Sequence, residues 1–244
     1  MNSLGYTWYE LLRTVRNRRL LVFSLGFPIV LYFLIAGPNK NETDFAGTGL
    51  SAPLYYMTGL AAFGTMSAMI ASGGRIAGER SVGWTRQLRI TPLTTRSYFR
   101  AKVLTAYAIA LVSLLALYVC GASLGVSLPA GRWLTMTGLI VVALVPFAAL
   151  GVALGHFITV DSVGPATGGL VAVFAFVSGT WFPIKSGFLF HFGQLLPSWW
   201  LVQASHVALG GHAWPTKGWV VVAVWAVACT GLARYAYRRD TARV

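Results

Sequence analysis

Carboxylates are scarce in this chain. Its 244 residues hold six: Glu10, Glu42, Asp44, Glu79, Asp161 and Asp240. None falls at the middle of a long apolar run. Membrane-embedded hydrolases and transferases need clustered carboxylates or histidines for metal or acid–base work. Proton- or ion-coupled transport needs an ionisable group within the membrane. The four histidines supply neither: His156 lies near the end of one apolar run, and His191, His206 and His212 share one connecting segment. His206 and His212 lack a third ligand, so no metal site and no catalytic set is expected. The two cysteines, Cys120 and Cys229, sit inside apolar runs, where a thiol behaves as a small buried hydrophobe, and they imply no disulfide framework. There is no G-x-x-x-x-G-K-[ST] stretch, so the chain does not bind ATP through a P-loop and is expected to bind no cofactor of its own. No small-residue cleavage site follows the first apolar run, which therefore reads as a retained helix.

Charge as a whole is also low. Charged residues make up 10% of the chain, against about 25% in a soluble domain. Hydrophobic residues make up 56%, and the mean hydropathy is +0.66. What charge there is has a pattern. Fifteen of the nineteen Lys and Arg residues fall in three short stretches: Arg13 to Arg19, Arg75 to Lys102, and Arg234 to Arg243. Pairs of apolar runs separate these stretches. Short cationic loops resist translocation, so an even number of crossings with both ends in the cytoplasm produces this asymmetry. The net charge of +13 does not mark a nucleic-acid partner, because the basic residues flank apolar runs and form no continuous face. Membrane topology and anionic head groups account for them.

A crossing needs about 20 apolar residues, and backbone in hydrocarbon must satisfy its own hydrogen bonds, so each qualifying run is helical. Six qualify: 20–37, 53–73, 103–126, 133–158, 163–182 and 218–236. The expected fold is an all-α polytopic membrane protein with six transmembrane helices in one permease domain, 1–244. Residues 1–19 form an interfacial helix, with Leu4, Trp8, Leu11, Leu12 and Val15 on one face and Glu10, Arg13, Thr14 and Asn17 opposite. An ordinary cytoplasmic extension is the other reading. The outer segment 183–217 holds too many apolar side chains for a free loop, Trp199 and Trp200 among them. It is expected to form short re-entrant or roofing helices, one capped by Ser198. Gly151 and Gly155, and Gly164 and Gly168, are spaced for close helix packing within one bundle, and Pro146 is expected to kink the fourth crossing.

The inner connection, 74–102, carries the most informative sequence. Ile76, Trp84 and Leu88 fall on one stripe, Arg75 and Glu79 are spaced for an ion pair, and Pro92 ends any helix by Thr91. The pattern predicts a short amphipathic helix too polar for lipid and too apolar for water, suited to a groove on another protein. Lying on lipid head groups is the alternative.

At this connection the chain resembles the permease subunits of bacterial ABC-2 type (type V) exporters, including the daunorubicin-resistance-like permeases. The resemblance rests on Glu79-Arg80-Ser81-Val82-Gly83, then Leu88-Arg89-Ile90-Thr91-Pro92-Leu93. The outer stretches Ser178-Gly179-Thr180-Trp181-Phe182-Pro183-Ile184 and Leu196-Pro197-Ser198-Trp199-Trp200 fit as well. The resemblance implies a subunit of the bacterial inner membrane with both termini cytoplasmic. It would pair with a second permease, identical or not, and with a separate ATP-binding cassette ATPase that carries ATP and Mg. Glu79, Arg80, Gly83, Trp84, Arg86 and Leu88 would form the coupling helix seated on that ATPase. Gly83 would allow close approach, and Arg80 and Arg86 would meet acidic groups. The cargo would be hydrophobic or amphiphilic (a drug, secondary metabolite or lipid), exported past Met57, Phe63, Met66, Phe174 and Phe176. Two other readings stand beside it: a membrane-embedded enzyme modifying lipids or isoprenoids, and a membrane scaffold or immunity protein.

Overall fold

A computed structural model describes residues 3–17, 22–84, 87, 94–210 and 213–242, and their regular structure is entirely helical. The helices are α1 (Ser3–Val15), α2 (Phe27–Ala36), α3 (Ala52–Ser81), α4 (Thr95–Ser123), α5 (Ala130–Ala143), α6 (Val145–Phe157), α7 (Val160–Val177), α8 (Phe188–Gly193), α9 (Pro197–Gln203) and α10 (Thr216–Ala242). A π-helical turn, Val22–Gly26, leads into α2, and a 3₁₀ helix, Ala204–Leu209, follows α9. Five helical segments are long and apolar enough to cross a membrane: Ala52–Ser81, Arg96–Ser123, Ala130–Phe157, Val160–Val177 and Thr216–Asp240. The first apolar run appears as a shorter helix, Ser24–Ala36. The protein is a multi-pass membrane protein.

Local signals set several boundaries. The Thr94 hydroxyl accepts from the Ser97 N–H at 3.2 Å and starts α4. Pro146 removes a backbone donor, and the fourth crossing breaks at Leu144 into α5 and α6, as expected. Other boundaries move. The helix of the second apolar run does not stop at residue 73 but continues to Ser81, and that of the sixth continues to Ala242. Neighbouring helices cover the polar turns at the end of α3. The stretch from Ile76 to Ser81 is thus the last part of α3, not a separate amphipathic helix, and Ile76 is fully buried within the protein.

Helix α3 is the hub. It packs against α2, α4, α6 and α7, while α10 packs on α6 and α1 on α4. Almost every side chain from Ala52 to Met69 is buried, so α3 shows no amphipathic stripe. Its approach to α6 depends on Gly73, Gly151 and Gly155. A Cβ on Gly73 would sit 2.3 Å from the Gly151 carbonyl oxygen, and one on Gly151 would sit 2.4 Å from the Met69 carbonyl oxygen. This glycine pair serves packing inside the bundle, as expected. Gly164 and Gly168 meet nothing within 4 Å, so the α7 pair has no partner helix among the described residues.

At the end away from the basic clusters, α8, α9 and the 3₁₀ helix form a roof. Trp199, Trp200 and Leu201 are buried. The Trp200 indole donates to the Gln194 carbonyl at 3.0 Å, the Trp225 indole of α10 to the Leu195 carbonyl at 2.8 Å, and Arg132 of α5 to the Ala208 carbonyl at 2.8 Å. Tyr55 of α3 donates to the Gly179 carbonyl. Ser198 does not cap α9. The helix starts two residues earlier, with Pro197 in its first turn and Leu196 at the N-cap, and this leaves the Ser198 hydroxyl inside the helix, buried and without a partner among the described residues.

Candidate functional site: a buried ionic junction

The ends of α1, α3 and α4 meet around charged groups drawn from three parts of the chain. On α1, Tyr6, Glu10 and Thr14 recur every four residues and share one face. All three are buried, while Trp8, Leu12 and Val15 on the other side are exposed. The apolar face is therefore free for lipid, as an interfacial helix requires. The polar face does not look to water; it packs on α4.

Lys102, fully buried on α4, lies at the centre. Its ammonium donates to Glu10 Oε1 at 2.5 Å and also to Glu79 Oε1. Glu79, at the end of α3, is 1% exposed. It receives Arg13 Nη1 at 2.9 Å and the Tyr98 hydroxyl at 2.7 Å on its other oxygen. Arg75 donates to the Thr14 hydroxyl, and its guanidinium lies 3.7 Å from Glu10 Oε1. Arg75 thus pairs across to α1 and not along its own helix to Glu79, the ion pair its spacing suggested. Burial, with Glu10 and Glu79 nearby, pushes the Tyr6 phenol well above its ordinary range. Three cations enclose two carboxylates. Glu79 has three donors, and Glu10 has one hydrogen bond, from Lys102, with the Arg75 guanidinium 3.7 Å away. Opposite charge and donors at hand are what a buried ionic group requires if it is to stay charged.

A second tie adjoins the first. The Arg80 guanidinium grips Asp240 of α10 through two hydrogen bonds, 2.7 Å and 2.6 Å, and donates a third to the Gly155 carbonyl at 3.0 Å. His156 Nδ1 lies 3.1 Å from the same carboxylate. Its ring stands edge-on to Phe99 and Tyr237, with centroids 5.9 and 5.5 Å away. The two ties together join five helices: α1, α3, α4, α6 and α10.

This corrects the expected roles at several positions. Glu79 is buried inside its own chain and does not face outward. Arg80 spends its fork on Asp240, where an acidic group on a partner was expected. Gly83 is explained by its backbone: φ is +71°, the left-handed conformation that closes a helix, and a Cβ there would meet nothing within 4 Å. Val82, by contrast, is 74% exposed, and Trp84 is half-buried beside it. Arg86 and Leu88 lie outside the described residues, as does His212. The residues that sequence reasoning passed over are Glu10, Tyr98, Lys102 and Asp240. A usable signal existed: half of the six carboxylates (Glu10, Glu79 and Asp240) sit within helical patterns, and Tyr98 and Lys102 share a helix face at the start of an apolar run.

A membrane bundle whose helix ends are cross-tied around the Glu79-Arg80 pair is now in view, and comparison with known proteins says whose it is. The family model described as ABC-2 type transporter matches residues 4–209, from α1 through the outer roof. The chain belongs to the ABC-2 type transporter family. It is also similar to the Bacillus subtilis (strain 168) protein named "Putative transport permease YvfS", with 26% identity over 239 residues and 96% of each chain covered. The family match includes every charged junction residue except Asp240.

In this ABC-2 type transporter the five residues expected along the substrate path divide. Met57, Met66 and Phe174 are buried in the core of the single chain, Met57 against Gly121 and Phe174 edge-on to Phe147. They pack helices and present no surface: Met57 and Met66 because α3 is covered on nearly all sides, and Phe174 of α7 because it lies against α6. Phe63 and Phe176 do reach outward. Phe63 is half-buried between Phe27 and Trp181, and Phe176 is 52% exposed against Phe182.

Proposed function

We propose that the chain is the membrane-spanning permease subunit of an ATP-binding cassette exporter of the bacterial inner membrane, driven by a separate ATPase. The three basic stretches support an orientation with the α1 end and the α10 end in the cytoplasm. The ATPase docks on the connection between α3 and α4, which Val82 and Trp84 begin. Two permease copies flank the path, with Phe63 and Phe176 on the faces that meet cargo, which is hydrophobic or amphiphilic. Family membership supports a transporter over a lipid-modifying enzyme.

The ionic junction is the observation that carries this reading. A displacement of the α3–α4 connection cannot be absorbed by slack side chains at its root. Glu79 and Lys102, one on each side of the connection, are tied to each other and both to α1. A push at Trp84 therefore moves α1, α3 and α4 as one body, which is what a coupling element must do. Glu79 and Arg80 serve as the rigid root of the lever, and Val82 and Trp84 as its contact surface.

The test separates those two roles. Trp84→Ala and Val82→Asp should lower capture of a co-expressed ATP-binding cassette ATPase by at least about tenfold, a loss expected of an apolar anchor, with folding unchanged. Glu79→Gln should retain capture and lose ATP-driven export from membrane vesicles. Equal ATPase capture by wild type and both contact variants would sink the docking assignment. Orientation has its own check: a cysteine placed at Ser81, in a background without Cys120 and Cys229, should react with an impermeant maleimide only after the cell membrane is opened.

A further inference from the structure

Near the basic end, α4, α6 and α10 leave a groove of about 540 Å³ between them. Each helix contributes one stripe. Arg96, Phe99, Val103 and Tyr107 come from α4; Ala148 and Val152 from α6; Ala233 and Arg234 from α10. The small residues of α6 form the floor, and rings and branched chains form the walls. The only cations in the lining are Arg96, on the first turn of α4, and Arg234. Both are exposed and neither makes an ion pair among the described residues. Nearby carboxylates cannot serve them, because Glu10, Glu79 and Asp240 are already committed to the junction. From Arg96 to Tyr107 the groove runs about 17 Å along α4, at about 1.5 Å per residue. That is close to the depth of one leaflet, half of the ~30 Å hydrocarbon core.

We propose that this groove is a binding site for one anionic phospholipid of the leaflet at the basic end, with its phosphate between Arg96 and Arg234 and an acyl chain lying along Phe99, Val103, Ala148 and Val152. Length, lining and charge all fit such a lipid, and basic pockets between helices on the cytoplasmic side are where anionic head groups bind. A second copy of the chain is the poorer fit. In a two-fold contact this patch would face itself and gather four arginines in one interface, with no carboxylate in the lining to offset them. The site is separate from the proposed ATPase contact and does not depend on it.

Native mass spectrometry of the purified full chain, with dioleoyl phosphatidylglycerol or dioleoyl phosphatidylcholine added, tests this. The wild type should retain one phosphatidylglycerol per chain, about thirtyfold more tightly than phosphatidylcholine, the combined effect expected of two cations at a head group. Arg96→Gln with Arg234→Gln should reduce retention to the phosphatidylcholine level. Ala149→Phe, which narrows the groove and leaves both arginines in place, should also lose the lipid. Circular dichroism checks that each variant is folded, and either one alone suffices for the test. Equal retention of the two lipids by the wild type, or undiminished phosphatidylglycerol in a folded variant, would overturn the site. So would chain-to-chain cross-linking in membranes through a cysteine at Ala149, because it would show that a second copy covers the groove.

Discussion

At its basic end this bundle is closed by charge, and at the other end by rings and backbone. Lys102, Glu10, Glu79, Arg13 and Arg75 bind three helix ends together through ion pairs, with Lys102 and both carboxylates removed from water. The opposite end uses buried Trp199 and Trp200, a cluster of Phe45, Tyr55 and Tyr56, and donors aimed at main-chain carbonyls. There Arg132 and Lys185 bond main-chain carbonyls and Lys217 bonds the Gln194 side-chain oxygen, and none of the three faces a carboxylate in an ion pair among the described residues. The contrast is one of interaction type. The roof is held by many small contacts of similar strength. A buried charge cluster has few acceptable arrangements, because any separation strands an ion in a poor solvent. Such a cluster suits helices that must move together.

The strongest attempt to break this comparison is Lys102→Met. It leaves Glu10 and Glu79 without their shared cation and should cost about 3–5 kcal/mol of unfolding free energy, read by denaturant titration in detergent. Lys185→Met, at the exposed outer contact, should stay within about 1 kcal/mol. If the two losses were alike, the ends would not differ in the way described.

Next in size is Gly151→Val. It sits between the two ends and tests shape, not charge. Its Cβ would already collide with the Met69 carbonyl, so a loss of about 1–3 kcal/mol or more is expected from overpacking, with no dependence on salt.

Arg80→Lys and Asp240→Asn come third. The pair is about a quarter exposed, so a double-mutant cycle should give a coupling of about 1–2 kcal/mol that weakens as salt rises. The enclosed Lys102 contacts should be far less sensitive to salt. A salt response of equal size in both would mean that the Lys102 cluster is open to water.

Trp225→Phe should have the smallest effect. Trp225 is half-buried, and the change keeps a ring there and removes one hydrogen bond to the Leu195 carbonyl, for about 1 kcal/mol, and the loss should not respond to salt.

The crossings were legible because lipid leaves the backbone no choice. The break at Pro146 and the short outer helices were legible for equally local reasons. The end of α3 was not. Its last two turns, with Arg75, Glu79 and Arg80, read by polarity as part of a separate amphipathic helix, and instead continue α3 inside the bundle because α1, α4, α6 and α10 supply the partners. Met57 and Phe63, six residues apart on one helix, are equally apolar by type. Only the packing around α3 buries the first and brings the second outward.

Residue order alone determined where this chain enters and leaves the membrane and which end of the bundle collects its cations. Both depend on single-residue transfer preferences summed along a run. Tertiary structure alone decided which of those cations are spoken for. Arg13 finds Glu79 across 66 positions, Lys102 finds Glu10 across 92, and Arg80 finds Asp240 across 160. Hydrophobic periodicity records which way a side chain faces and carries nothing about what will stand opposite it once the helices have packed.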